Sequence, residues 1–373
     1  MMAAMRAAIV GLGLMGGSLG LALRERGGAT TAGYDPDAAA RAAARERGCV
    51  DEAFDTLEAA CAAADLVVVC APVAQLSAAI AAALAAAPDG AIVTDVGSTK
   101  GQVVRAVPAA ERHRFVGGHP VCGSEARGAQ NARAGLFEGA TWFLTPVADT
   151  DSARYAALHA AVVQIGARPV AIAPGAHDRL VALTSHLPHV VANLLATQAG
   201  AGTIDGHDPL AAVGGSFRDM TRVAGANPRI WVDIFLDNRE ALASALREHR
   251  RRLDEVEEAL AAGDAGFLAR WIGEASAARR RTLAAAFPDG GADLHSVRIH
   301  IPDRPGAISG IAQALGAARV NIEDFVLHHM SPDRGGIVEI VVSGAGAAER
   351  AVEILDGQGY GAIATPVDGE VEA

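Results

Sequence analysis

The stretch RAAIVGLGLMG, residues 6–16, decides the fold. A short apolar run breaks at Gly11 into a G-x-G-x-x-G spacing (Gly11, Gly13, Gly16) and continues as the helical pattern LMGGSLGLALRE. This is a β-strand feeding a tight turn and then a helix. Gly11 permits the turn, Gly13 lets a diphosphate approach the backbone, and Gly16 lets helix and strand pack closely. The amides around Leu14 and Met15 open the helix and offer donors at the positive end of its dipole. The spacing alone is weak, but an acidic residue, Asp35, ends the next predicted strand 19 residues after Gly16. A carboxylate there accepts hydrogen bonds from a ribose 2′-hydroxyl and repels a 2′-phosphate. Asp37 adds negative charge and no arginine directly follows Asp35, so NAD is expected rather than NADP. Asp35 capping the helix that follows Pro36 is compatible with the same role.

Outward from this motif, strands are predicted at 7–10, 30–34, 66–71, 91–95, 115–117 and 142–144, alternating with alanine-rich helical stretches. Continuous apolar runs such as LVVVCA suit strands buried on both faces of a parallel sheet. Residues 1–172 therefore read as a doubly wound α/β Rossmann domain. Beyond residue 173 long helical stretches take over, at 176–199, 228–261 and 265–286, giving an all-α domain over 173–288. Helices this long with few partners in one chain are expected to pack against a second subunit, as a homodimer. FPDGGAD, 287–293, reads as a linker. Residues 294–373 return to mixed patterning, with strands at 296–301, 322–328 and 336–343 and helices at 308–317 and 347–357, a small α+β domain.

At 373 residues, 51% hydrophobic and 20% charged, the chain can bury more than one core and is not a disordered composition. Aromatic residues make up only 4%, so alanine, valine, leucine and isoleucine must build those cores. The net charge of −11 argues against a general binder of nucleic acid or acidic membranes. Cys49, Cys61, Cys70 and Cys122 show neither a CxxC pair nor metal-ligand spacing, which suggests free thiols in a reducing compartment and no metal. No uninterrupted apolar stretch of about 20 residues is present, and Gly11 cuts off the apolar opening before it could serve as a signal peptide. A soluble, cytoplasmic protein is expected.

Polar clusters mark the candidate site. DVGSTKG (95–101) and GGHPVCGSEARG (117–128) interrupt apolar sequence at the C-terminal ends of strands, where open parallel sheets collect ligands. His119 is expected just beyond a strand, between two glycines and Pro120; the plain alternative is a satisfied core or surface histidine. SHLPH (185–189) lies in a helical stretch, or marks a proline-containing helix start. GGSFRDMTR (214–222) precedes NPRIWVDIFLDN (227–238), and an arginine near Ser, Asp and Trp suits anion recognition as well as it suits a surface salt bridge.

In this order and spacing, across residues 6–285, the motifs GLGLMGGSLG, DVGSTKG, GGHPVCGSEARG, SHLPH and GGSFRDMTR-x8-W resemble the TyrA family of prephenate and arogenate dehydrogenases. The resemblance implies a Rossmann domain followed by a helical dimerisation domain, and NAD-dependent oxidative decarboxylation of prephenate in tyrosine biosynthesis. It makes His119 the catalytic acceptor of the substrate C4 hydroxyl hydrogen bond. Ser98 becomes the serine bridging that histidine, the hydroxyl and the nicotinamide, and Arg222 the holder of a substrate carboxylate. His189, Ser124, Glu125 and Trp231 become pocket-lining residues. Cys122 departs from the family motif, which often has alanine there, and reads as packing. DRPGAISGIAQALGAARVNIEDF (303–325) resembles an ACT regulatory domain, which implies an amino-acid site near Asp303, Gly306 and Asn321 and tyrosine as the logical effector.

Three rivals remain. Arogenate differs from prephenate only in an amino group replacing the side-chain keto group. The β-hydroxyacid dehydrogenases share the glycine fingerprint but rely on a lysine in their helical domain, and residues 173–290 contain none. A non-catalytic sensor of NAD and amino acids has no need of a proton acceptor such as His119 beside Ser98.

Overall fold

The computed structural model describes residues 5–122, 126–286, 293–331 and 335–367. Two compact bodies form, one from residues 1–208 with 220–250, the other from 209–219 with 251–373.

The first body is built on β1 (Arg6–Val10), β2 (Thr30–Tyr34), β3 (Glu52–Phe54), β4 (Leu66–Val69), β5 (Ile92–Asp95), β6 (Phe115–Pro120), β7 (Thr141–Thr145) and β8 (Arg168–Ala171). They form one sheet in the order β3-β2-β1-β4-β5-β6-β7-β8. Ala7 and Ile9 of β1 enter the core on one face, while Ala8 and Val10 enter the core on the other. Burial on both faces explains why the central strands lack polar alternation. The strand order reverses between β1 and β4, and a crevice at the C-terminal ends of the strands is the expected ligand position. β7 runs antiparallel to β6, unlike its neighbours. A parallel return needs a crossover helix, and the described part of the β6–β7 connection holds only the short 3-10 turns Ala129–Asn131 and Ala134–Phe137. β3 (EAF) and β8 (RPVA) are short and mostly exposed or half-buried, so they carry no continuous apolar run that would reveal them.

The helical segment follows the expected stretch at 176–199 and departs from expectation at 228–261. Pro174–Val181, the π-helical turn Ala182–His186 and Leu187–Ala199 make one continuous path, so SHLPH is not a helix start. Pro188 has no N–H to donate, and its ring crowds the carbonyl four residues back; the wider turn just before it absorbs the mismatch. By length and composition Pro174–Ala199 could cross a membrane, contrary to the expectation from sequence. It buries His177, Asp178 and His186, however, a polar set that belongs to the protein's own packing. The predicted helix 228–261 is two, Pro228–Asp237 and Arg239–Ala262. The break falls at Asn238, whose buried amide donates to the Asp178 carbonyl at 2.8 Å and meets His186 Nδ1 at 3.1 Å.

In the second body β9 (Leu294–Ile301), β10 (Asp324–Ser331), β11 (Gly335–Ser343) and β12 (Ala362–Pro366) form an antiparallel sheet in the order β10-β11-β9-β12. The helices Ala307–Ala317 and Ala345–Gly357 bury Ile311, Leu315, Ala351 and Leu355 against Val297, Ile299, Val338 and Ile340. β12 was not predicted. It is a short edge strand, where a sheet tolerates a residue such as Pro366.

Candidate active site

The glycine turn is built as its spacing requires. Gly11 has φ +97°, and a Cβ on Gly16 would stand 1.9 Å from the Gly11 carbonyl oxygen, so helix and turn touch through bare backbone. At Gly13 an added Cβ would meet nothing within 4 Å. The protein's own packing does not demand glycine there, but a diphosphate lying across the turn does. No side chain caps the helix Leu14–Glu25, which leaves its first amides, those of Leu14, Met15 and Gly16, for a ligand. Asp35 follows β2 and accepts from Leu12 N at 2.8 Å and Asp37 N at 2.9 Å. Its carboxylate is thereby aimed from the glycine turn, with lone pairs left for a ribose. These residues fit NAD.

Across the switch point, Asp95 ties the two polar clusters together. Its carboxylate accepts from Gly97 N at 2.9 Å and Gly118 N at 3.0 Å and pairs with Lys100 Nζ. Both side chains of that ion pair are 0% exposed, so each is costly to leave alone. Burial pulls Lys100 below its usual pKa, with Asp95 and Asp178 opposing. The loop carrying half-buried Ser98 and the strand carrying His119 are thus anchored to one carboxylate.

His119 lies within β6, paired with Phe143 of β7, rather than beyond the strand as its glycine-flanked position suggested. The added antiparallel strand extends the pairing. Its Nδ1 is 2.9 Å from His177 Nε2, and His177 Nδ1 is 2.9 Å from Asp178 Oδ1. Asp178 also accepts from Lys100 N at 2.8 Å and Gly101 N at 2.7 Å. Burial first, and then His177, Lys100 and His186, push the His119 pKa well below its ordinary value. The ring is neutral near pH 7 and can accept a proton. His186 is pushed down to about 4, chiefly by burial, against the attraction of Asp178.

A second cluster surrounds Trp231. His189 stacks on it with ring centroids 3.4 Å apart, and His189 Nδ1 is held 3.0 Å from the Ser185 carbonyl. The turn Arg222–Gly225 packs on the same helix, Leu187–Ala199. Burial lowers the His189 pKa, its bond to Ser185 opposes that, and the Arg222 charge lowers it further. Arg222 itself is exposed. His186 links the clusters: its ring is 6.0 Å from Trp231, and a proton on it would oppose one on His119.

Ser124 and Glu125 lie outside the described residues. Burial pushes the Cys122 thiol up to about 11, and its side chain packs on the core, in keeping with packing rather than nucleophilic chemistry. On the second body Asp303 follows β9, Gly306 takes φ +90° at the start of Ala307–Ala317, and the Asn321 amide donates to Glu323 at 3.0 Å. His177, Asp178 and Asn238 were not singled out from sequence. An adjacent His-Asp pair inside a helix carries no local signal. Lys100 and Asp95 were quoted in a motif but given no task.

Residues 19–171 match the nucleotide-binding domain of prephenate dehydrogenase, 173–274 its dimerization domain, and 295–353 the ACT domain. A prephenate dehydrogenase of Bacillus subtilis is 31% identical over 362 residues, covering 93% of this chain and 95% of its own length. The chain belongs to the prephenate dehydrogenase family. Among solved relatives, the A. aeolicus prephenate dehydrogenase in complex with hydroxyphenyl propionate and NAD+ has a TM-score of 0.70 and 30% identity, covering 75% of this chain and 99% of its own. The Synechocystis arogenate dehydrogenase has a TM-score of 0.68 and 32% identity, covering 74% and 100%. As a prephenate dehydrogenase family member the chain is an NAD-dependent oxidoreductase with Rossmann, helical dimerization and ACT domains.

Proposed function

We propose that this enzyme uses NAD+ to convert prephenate into 4-hydroxyphenylpyruvate and carbon dioxide on the route to tyrosine. The observation that carries the proposal is His119, a neutral ring at the C-terminal end of the sheet, one carboxylate away from the Ser98 loop and on the same body as the glycine turn and Arg222. Bound NAD+ supplies the hydride acceptor. As hydride leaves substrate C4, the hydroxyl becomes a carbonyl and its proton passes to His119 Nε2. The bond to the ring carboxylate then breaks, its electron pair makes the ring aromatic, and the C4 oxygen takes the proton back as a phenol. His119 must therefore hold a proton and return it. Ser98 orients the hydroxyl, Arg222 grips a substrate carboxylate as a fixed planar cation, and His189 with Trp231 lines the pocket. Ser124 and Glu125 are assigned to the pocket by motif alone.

The test is NADH formation by the purified full chain, given prephenate and arogenate in parallel. A higher kcat/KM with prephenate is expected. Preference for arogenate would make it an arogenate dehydrogenase, and no turnover of either would leave only a sensor.

Asp35 sets a second expectation. With NADP+ in place of NAD+, the fixed carboxylate opposes the 2′-phosphate, so kcat/KM should fall clearly, and Asp35→Ser should narrow the gap. Equal use of both cofactors by the unaltered enzyme would remove that role.

Two copies are proposed to pair through exposed apolar side chains of the helical segment, among them Leu183, Leu194, Ile230 and Leu236. The four cysteines are free, which suits the cytoplasm. Tyrosine is proposed to inhibit through the ACT domain, near Asp303, Gly306 and Asn321. Removing residues 291–373 should leave an active enzyme with weaker tyrosine inhibition; unchanged inhibition would place tyrosine at the His119 pocket instead.

A further inference from the structure

The His119 ring can serve as an acceptor only if its protons are arranged correctly. A neutral imidazole carries one N–H, and the nitrogen without it is the only acceptor. We propose that His177, held by Asp178, is a positioning residue that fixes His119 in the tautomer with hydrogen on Nδ1, leaving Nε2 free to take the substrate proton. The proposal rests on His119 being the proton acceptor.

The chain of inference starts at Asp178. Its carboxylate accepts from two backbone amides, Lys100 N at 2.8 Å and Gly101 N at 2.7 Å, and lies 2.9 Å from His177 Nδ1. Burial works against the charged form, but the hydrogen bonds from His177 and the two amides prevail and hold Asp178 below the usual carboxylate range. An ionised carboxylate is an acceptor only, so His177 must present N–H at Nδ1. With its one N–H directed at Asp178, His177 has a bare Nε2, 2.9 Å from His119 Nδ1. One hydrogen must lie between these nitrogens, and His119 must supply it. The opposite arrangement requires a second proton on His177, whose side chain is 0% exposed. Phe143 closes on this pair, 5.4 Å from the His177 ring and 6.5 Å from the His119 ring.

The arrangement also serves the intermediate stage of the reaction. When His119 accepts the hydroxyl proton it becomes a buried imidazolium, which the charge of Lys100 opposes. Its Nδ1–H points to His177 Nε2, and His177 Nδ1–H points to Asp178, so the new charge is compensated through two hydrogen bonds. A relay in which a carboxylate orients a histidine is a known solution for one imidazole; here the geometry places a second imidazole between carboxylate and base.

The decisive measurement is the 15N spectrum of the histidine side chains in the full-length enzyme, with the His119 signals assigned by their loss in His119→Asn. Hydrogen on Nδ1 of His119 in the unaltered enzyme is expected; hydrogen on Nε2 would overturn the proposal whatever the activity. His177→Phe keeps an aromatic ring but no acceptor. It should lower kcat by roughly tenfold or more, within the 10²–10⁴ range of the base itself, with the KM values for substrate and NAD+ nearly unchanged. His177→Gln, whose Oε1 can accept from His119 Nδ1, should recover much of that loss. Equal loss in Phe and Gln variants, or a loss confined to KM, would reduce His177 to a packing residue. Failure of His119→Ala to slow turnover would instead remove the catalytic role of His119, and the tautomer measurement would stand apart from it.

Discussion

His119→Ala is expected to lower kcat by about 10²–10⁴, the usual worth of a positioned acid–base group, while NAD+ binding stays near that of the unaltered enzyme. The split follows from placement. The side chain belongs to β6 and to the His177–Asp178 chain, whereas the glycine turn and Asp35 are built on β1 and β2. The pH dependence has a definite sign. The groups bearing on His119 are His177, Lys100 and His186, with Asp178 and Asp95 behind them, and burial is the first cause of its lowered pKa. The neutral ring is the working form. Activity should therefore persist as pH falls through about 6.5, the ordinary histidine value, and decline only below it. A kcat/KM profile measured on the unaltered enzyme checks this. An acid limb at or above 6.5 would contradict the burial argument, and near-native turnover in the alanine variant would take His119 out of the mechanism.

Arg222→Gln is expected to weaken substrate binding by about 1.5–3 kcal/mol, the range for a lost hydrogen bond to a charged group, with the KM for NAD+ hardly changed. That is roughly ten- to more than a hundredfold in substrate KM. Arg222 is exposed, and its turn packs on the helix whose His189 stacks on Trp231. His189 is held neutral there, so the arginine is the permanent cation of that cluster. Arg222→Lys should recover only part of the loss, because an ammonium cannot reproduce the two-pronged grip of a guanidinium on a carboxylate. Steady-state KM values for both substrates decide the matter. Equal damage to substrate and NAD+ binding would point to a role in folding the helical segment.

The sequence by itself determined what is local. The strand–glycine–helix unit at residues 6–16, the acidic Asp35 after the second strand, the division into α/β, helical and α+β segments, and the polar clusters around Ser98, His119 and Arg222 were all legible there. Turn chemistry and side-chain period act over a few residues, and a linear chain displays them directly. Tertiary structure alone decided the rest: the antiparallel β7 that draws His119 into the sheet, the π turn ahead of Pro188, the break at Asn238, and the contact of His119 with His177, 58 residues away. His177 and Asp178 look like ordinary polar positions of a helix until Lys100 and Gly101 donate their amides to Asp178. A buried donor or acceptor must find its partner wherever packing brings one. That partner is set by which elements meet, and no local pattern in the chain records it.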